Sequence, residues 1–256
     1  MTVIKDIIER QGQTAEILSK ENIGVKDPTY RYERKFFVEN SKSQTVEGVV
    51  RLHPASFYSI YKPRFINNIY LDTPCFLNYR NALDGLAKRF KARIRWYGDL
   101  FSRVCSPQLE IKGKEGYISY KSIYPLNDVE FSRKIDAECI ANLLDASELP
   151  SNVRSYLFYT RPVLVNRYLR EYWRSRDERY RLTLDHDIWF SGFTAFETQE
   201  LMHYVESTNV ILEIKYNLMD DLHFAGIANK LPFRQSRSSK YMAGMDHIYH
   251  LGNYLP

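Results

Sequence analysis

The segment "RFKARIRWYGD", residues 89–99, constrains this chain more than any other. Side chains two apart on a strand share a face. Alternation therefore gathers Arg89, Lys91, Arg93 and Arg95 on one side and sends Phe90, Ala92, Ile94 and Trp96 to the other. Like charges side by side in a sheet repel, so four successive cations on one face call for a counter-charge. The motif "LEIK" occurs twice, at Leu109–Lys112 and Leu212–Lys215, and each copy turns a Glu and a Lys the same way. Near the N-terminus, "RYERKFFV" puts Arg31, Glu33 and Lys35 together, and "ERYRLTLDHDIWF" does the same for Arg179, Arg181, Thr183 and Asp185. In "VLVNRYLREYW" the arginines Arg167 and Arg170 fall on different faces.

An amphipathic sheet with one solvated face is the ordinary reading of any one such strand. Repetition over five strands favours a continuous charged surface that holds something. A closed barrel reverses the usual arrangement if helices cover its outside and its lumen is polar. Cations lining such a lumen repel one another unless a polyanion lies among them, and a chain of phosphates meets that need.

The rest of the chain is consistent with one large α+β domain. Its 256 residues are 44% hydrophobic and 14% aromatic, which excludes a disordered chain. The net charge of +5 permits an anionic partner without requiring one. Cys75, Cys105 and Cys139 form no CxxC pair, so neither a zinc site nor a disulfide framework is expected, and a reducing, cytoplasmic setting fits. No run of about 18 apolar residues and no signal-peptide pattern is present. Residues 3–21 have helical spacing, and with a linker they form an expected N-terminal segment 1–28 ahead of a domain at 29–256. Strands are expected at 30–38, 66–72, 89–97, 107–114, 117–124, 163–172, 179–189 and 210–217. Helices are expected near 53–62, 74–84, 132–145, 150–159, 194–205, 221–230 and 238–250.

The motifs "YERKFFV", "IYLDT", "KARIRWYGD", "LEIKGK", "VNRYLREYW", "YRLTLDHDIWF", "ILEIKYN" and "SSKYMAGM" follow in this order. Together, from about Tyr30 to Met245, they resemble the VTC domain, the polyphosphate-polymerase branch of the triphosphate tunnel metalloenzymes (CYTH superfamily). The resemblance implies an eight-stranded antiparallel β-tunnel with a basic lumen, covered outside by helices. It implies that Lys35, Arg93, Arg95, Lys112, Arg167, Arg181 and Lys215 line the lumen and grip phosphate, with Lys91, Ser239 and Lys240 as further phosphate contacts. It assigns Glu213 to a divalent metal, with Glu33 and Glu110 as further lumen carboxylates that support either the metal or the lumen cations. Where hydrolase relatives carry ExExK on the first strand, this chain has Arg31 at the first Glu position. That departure agrees better with a polymerase and with one metal ion than with two.

The implied reaction passes the γ-phosphoryl group of ATP to inorganic polyphosphate, and Mg²⁺ or Mn²⁺ suits carboxylate-only ligation. Inorganic triphosphatase or polyphosphate hydrolase activity, or polyphosphate binding without catalysis, are the alternatives. No nucleic-acid signature is present, and the chain carries no membrane segment of its own, so coupling to a membrane would need partners. Several residues also have plain structural readings. His186 reads as a packed histidine and Asp72 as a strand-end cap. Lys88, Arg89 and Lys91 can be rim charges, and Ser239 can be a helix cap.

Overall fold

A computed structural model describes residues 31–115, 118–131, 135–193, 204–236 and 239–249. The expected helix at 3–21 lies outside these residues. The architecture is a large antiparallel sheet with short helices packed against it. Its strands are β1 (Arg31–Val38), β2 (Tyr58–Asp72), β3 (Lys88–Tyr97), β5 (Gln108–Glu115), β6 (Ile118–Pro125), β8 (Arg161–Arg174), β9 (Arg181–Gly192), β10 (Tyr204–Ser207), β11 (Val210–Asn217) and β12 (Gln235–Ser236). The hydrogen-bonded order is β12-β1-β11-β9-β8-β2-β3-β5-β6, with β10 added on β9. Among the described residues the sheet thus has ten strands where eight were expected, the additions being the short β10 and β12. A separate ribbon pairs β4 (Arg103–Val104) with β7 (Val129–Glu130).

The two faces of this sheet follow the alternation of its residues. On the convex side, Phe90, Ala92, Ile94 and Trp96 of β3 and Leu109 and Ile111 of β5 are buried. They share a cluster with Ile140 and Leu143 of α3 (Ala137–Ala146) and Val153 and Tyr156 of α4 (Ser151–Leu157). A second convex cluster joins Phe36, Leu182, Leu184, Leu212 and Ile214 to Val46 and Val50 of α1 (Ser43–Arg51) and Phe224 of α5 (Asp221–Ala228). Burying one such aliphatic or aromatic side chain contributes about 1.5–3 kcal/mol, so these two seams set which face of each strand points outward.

The last helix, α6 (Lys240–Tyr249), departs from the expectation that helices cover only the outside. Its Tyr241 and Met245 pack on Tyr70, Leu164, Tyr168, Phe190 and Ile211. Tyr70, Tyr168 and Ile211 share strand faces with Asn68, Arg170 and Glu213, so α6 sits on the concave side and fills one end of it. The approach is close: a Cβ on Gly244 would lie 2.6 Å from both Leu164 Cδ2 and Phe190 Cδ1. Phe190 can face this way because Asp187 adopts a positive φ of 49°. The β8–β9 register slips between Arg167 and Leu169 at the same level, as a bulge requires.

Asp72 anchors the same end. Its carboxylate accepts hydrogen bonds from the backbone N–H groups of Thr73 (2.7 Å), Asn78 (2.9 Å) and Tyr79 (3.0 Å) and from the hydroxyl of Tyr241. It thereby caps the entry to α2 (Leu77–Leu83) and ties that helix to α6, as the structural reading of "IYLDT" anticipated. Tyr79 in turn donates to Asp246 of α6.

Two expected elements differ. Residues 58–62, expected as helix, begin β2, and the helix lies earlier, at 43–51. Bulges between Ser59 and Tyr61 and between Tyr61 and Arg64 break the two-residue period that would have revealed the strand. The expected helix at 194–205 lies mostly outside the described residues, and Tyr204–Ser207 is strand β10. No described helix is long and apolar enough to cross a membrane.

Candidate active site: a basic lumen

Glu110 organises one wall of the concave face. It stands opposite Arg93 in the β3–β5 register. Arg93 donates to one of its oxygens through Nε (2.8 Å) and Nη2 (2.6 Å). The other oxygen takes Lys121 Nζ at 2.7 Å and Arg95 Nη1 at 3.5 Å. Burial works against this charge, but Arg93, Arg95 and Lys121 hold the carboxyl far below the usual range. Arg95 also donates to Asn68 Oδ1 (2.9 Å) and to the Tyr168 hydroxyl (3.2 Å), and Asn68 is fixed by Asn166 (2.8 Å). Arg93 Nη1 reaches the Tyr70 hydroxyl at 3.3 Å. Two guanidinium planes are thus locked before any ligand arrives, and planar forks of this kind suit phosphate oxygens. Of the two roles expected for Glu110, support of a metal or of the lumen cations, its contacts here are those of the second.

The opposite wall is a lattice of two carboxylates and two lysines on β1 and β11. Lys35 opposes Glu213 in register, and Glu33 opposes Lys215. Lys215 Nζ lies 2.6 Å from Glu213 and 3.7 Å from Glu33, while Lys35 Nζ lies 2.9 Å from Glu33 and 3.6 Å from Glu213. Burial and the charge of Glu213 press the Glu33 carboxyl up, yet Lys35, Lys215 and Lys112 hold it below its ordinary value. For Glu213, burial is outweighed by Lys215, Lys35 and Arg170, and its carboxyl titrates well below the ordinary range. The influence of Lys112 on Glu33, and of Lys35 on Lys91, reaches between β1 on one side and β3 and β5 on the other. Those strands are far apart along the sheet, so the sheet curls until its two walls face each other.

Lys91 and Lys112 oppose each other in register on the first wall, one same-face step beyond Arg93 and Glu110. Burial, then the neighbouring Lys35, Arg89 and Arg93, lowers the Lys91 ammonium to about 8. Burial, then Arg93 and Lys35, brings Lys112 to about 8 despite opposing help from Glu33 and Glu213. Water still reaches the Lys112 side chain, although protein surrounds it. Among the described residues, Lys91 Nζ donates to Ser239 Oγ (3.0 Å) and lies 5.9 Å from the centre of the Tyr241 ring, and neither ammonium group touches a carboxylate.

The third feature was missed in the sequence. Arg170 of β8 grips Asp185 of β9 through Nε (2.5 Å) and Nη2 (2.6 Å), and Lys240 of α6 donates to the same carboxylate. Lys240 Nζ also lies 4.4 Å from the centre of the Tyr168 ring. Arg167, expected in the lumen, faces outward, where its guanidinium stacks 3.9 Å over Phe65 and contacts Asn67. Two arginines three residues apart take opposite faces, and the carboxylate across the β8–β9 register identifies the inward one. Arg181 does stand on the concave face, exposed at the end away from α6, opposite Lys215 and Arg174. Ser239 caps α6 loosely, with Met242 N at 3.5 Å from its Oγ. His186 packs on the outer face between Glu171 and Asp187, each at 3.2 Å, as its structural reading anticipated.

Among the described residues no group of three or more His, Cys, Asp and Glu side chains is placed to hold a metal ion. Glu33 and Glu213 are neighbouring carboxylates, and two hard oxygen donors suit an ion that keeps waters and takes its remaining oxygens from phosphate.

The family model of the VTC domain matches residues 30–249, and the chain belongs to that family. A search of curated proteins finds no match. Among solved structures, a protein from Vibrio parahaemolyticus assigned as an adenylate cyclase is similar at 9% identity and a TM-score of 0.47. That similarity covers 83% of this chain and 96% of the other. A protein from Hippeastrum, assigned as an adenylyl cyclase with a dominant triphosphatase activity, is similar at 15% identity and a TM-score of 0.46. It covers 88% of this chain and 98% of its own. At this level neither bears on the reaction of this chain.

Proposed function

We propose that this protein is a metal-dependent polyphosphate polymerase that transfers the γ-phosphoryl group of ATP to the end of an inorganic polyphosphate chain. The observation that carries the reading is the pair Lys91 and Lys112, two ammonium groups set opposite each other in register among other cations, with no carboxylate contact of their own among the described residues. A phosphate chain lying between the two walls supplies the missing counter-charge. Membership of the VTC domain family supports polyphosphate as that chain.

Arg93 and Arg95 hold the phosphates of the donor in line, and Lys112, Lys215, Arg170 and Arg181 receive the negative charge of the neighbouring units. The Ser239–Lys240 end of α6 and Lys35 complete the enclosure. A terminal oxygen of the acceptor chain attacks the γ-phosphorus, the bond from that phosphorus to the β,γ-bridging oxygen breaks, and ADP leaves. The acceptor oxygen is already anionic, so no general base is required and no side chain becomes covalently modified. Phosphoryl transfer of this kind asks mainly for position and charge neutralisation. Glu213 and Glu33 would hold Mg²⁺ or Mn²⁺, which supplies charge neutralisation on the phosphate oxygens when bound. Glu110 keeps Arg93 and Arg95 in place. A cytoplasmic location, with any link to a membrane made through partners, belongs to the same reading.

Incubation of the purified protein with ATP and Mn²⁺, followed by gel electrophoresis, tests it. The expected result is a ladder of lengthening polyphosphate with ADP as coproduct. Phosphate release from triphosphate with no ladder would make the protein a triphosphatase, and tight polyphosphate binding with neither product would make it a binding module.

A further inference from the structure

Opposite α6, the concave face ends in an aromatic cluster that phosphate binding does not explain. Arg64 of β2 projects among three tyrosine rings, its guanidinium 4.7 Å from the centre of Tyr97, 4.8 Å from Tyr172 and 5.9 Å from Tyr61. Its Nε donates to the Tyr172 hydroxyl at 3.1 Å. Tyr61 and Tyr172 meet edge to face at 5.7 Å. Among the described residues Arg64 has no carboxylate partner. Tyr61 is 59% exposed and Tyr97 45% exposed, so aromatic surface is open to solvent in a place where a polar rim would suffice.

The cluster lies in line with the phosphate-binding arginines. Tyr97 is the next same-face residue after Arg95 on β3, Tyr172 the next after Arg170 on β8, and Arg64 opposes Arg170 in register. Same-face neighbours on a strand are about 7 Å apart, a distance suited to a sugar placed between a phosphate group and a flat ring. The rings offer a phosphate chain nothing, whereas a π-face stacks with any nucleobase, and a guanidinium over aromatic rings adds a second flat surface.

We infer that Tyr61, Arg64 and Tyr97 form a stacking platform for the nucleobase of a nucleoside triphosphate whose phosphates enter the basic lumen. This rests on the reading of the lumen as a triphosphate site. A stacking platform tolerates any base, so ATP and GTP are expected to bind alike.

Calorimetric titration with ATP, GTP and inorganic triphosphate tests both levels separately. The unmodified protein should bind ATP and GTP with similar affinity, each tighter than a triphosphate lacking a base would predict from its phosphates alone. Tyr97→Ala should weaken both nucleotides about tenfold, the scale of one base–aromatic stack, and leave inorganic triphosphate unchanged. Tyr97→Trp should restore nucleotide affinity. If Tyr97→Ala weakens inorganic triphosphate as much as ATP, or changes neither, the platform is wrong while the lumen reading stands. Should inorganic triphosphate fail to bind the unmodified protein at all, both readings fall.

Discussion

Glu110 accepts both Nε and Nη2 of Arg93 on a single carboxylate oxygen, at 2.8 and 2.6 Å, and leaves the other oxygen to Lys121. The carboxylate is therefore spent inside the protein, and the guanidinium is fixed on its other side by the Tyr70 hydroxyl, 3.3 Å from Nη1. Removing one partner of a buried ion pair costs about 3–5 kcal/mol, because the remaining charge is left uncompensated. Glu110→Gln should lower the melting temperature clearly, and inorganic triphosphate should restore more of it than it adds to the unmodified protein. Thermal denaturation with and without triphosphate measures both quantities; equal ligand-induced shifts would remove Glu110 from its proposed role.

Arg93 and Glu213 should separate binding from turnover. Arg93→Ala is expected to abolish triphosphate binding in calorimetry. Glu213→Gln removes a carboxylate from the lattice with Lys35 and Lys215, so phosphate affinity should largely survive while metal-dependent turnover is lost. Normal polyphosphate synthesis by both variants would overturn the proposed site.

Arg170 and Arg167 make a sharper comparison, since they differ by three positions and lie on opposite faces. Arg170→Ala should weaken triphosphate binding at least tenfold, as Asp185 is then left with Lys240 alone. Arg167→Ala should leave affinity within about twofold, the usual size of a surface change of up to ~0.5 kcal/mol. Parallel titrations of the two variants decide it, and equal losses would place the lumen on the wrong face of β8.

The lowered ammonium groups of Lys91 and Lys112 predict a pH dependence with two signs. In the free protein both lose their protons near pH 8, so triphosphate affinity should fall as pH rises from 7 to 9. Proton uptake should accompany binding near pH 8, read as a dependence of binding enthalpy on the buffer. The free protein's stability should move the other way. Both lysines bind fewer protons folded than unfolded above pH 8, so their contribution to stability rises with pH between about 8 and the ordinary lysine value near 10.4. Lys112→Met should flatten both trends, and a variant with unchanged profiles would show that these lysines do not titrate there.

The sequence makes the β3, β5 and β11 portions of the site legible because their two-residue period runs without interruption. Alternation alone therefore gathers Arg93 and Arg95, Glu110 and Lys112, and Glu213 and Lys215 on one face of their strands. Arg170 could not be ranked above Arg167, because the deciding partner, Asp185, belongs to another strand and the register near it is bulged at Asp187. Arg64 and its tyrosines were hidden for a related reason: two bulges and Pro63 disturb the period of β2 just where the cluster forms. The assignment of α6 to the concave side also lay beyond reach, since its apolar positions look the same whichever face of the sheet receives them.

That placement of α6 has a consequence for how the lumen meets a polymer. Tyr241 and Met245 cover one end of the concave face, and Lys240 stands beside them. In the proposed reaction a donor whose base lies at the aromatic rim would turn its γ-phosphorus toward that end, and the acceptor would attack from the side opposite the leaving ADP. The growing chain would then lie along α6, and that helix, not the rim, would set how a polymer reaches the reacting phosphorus.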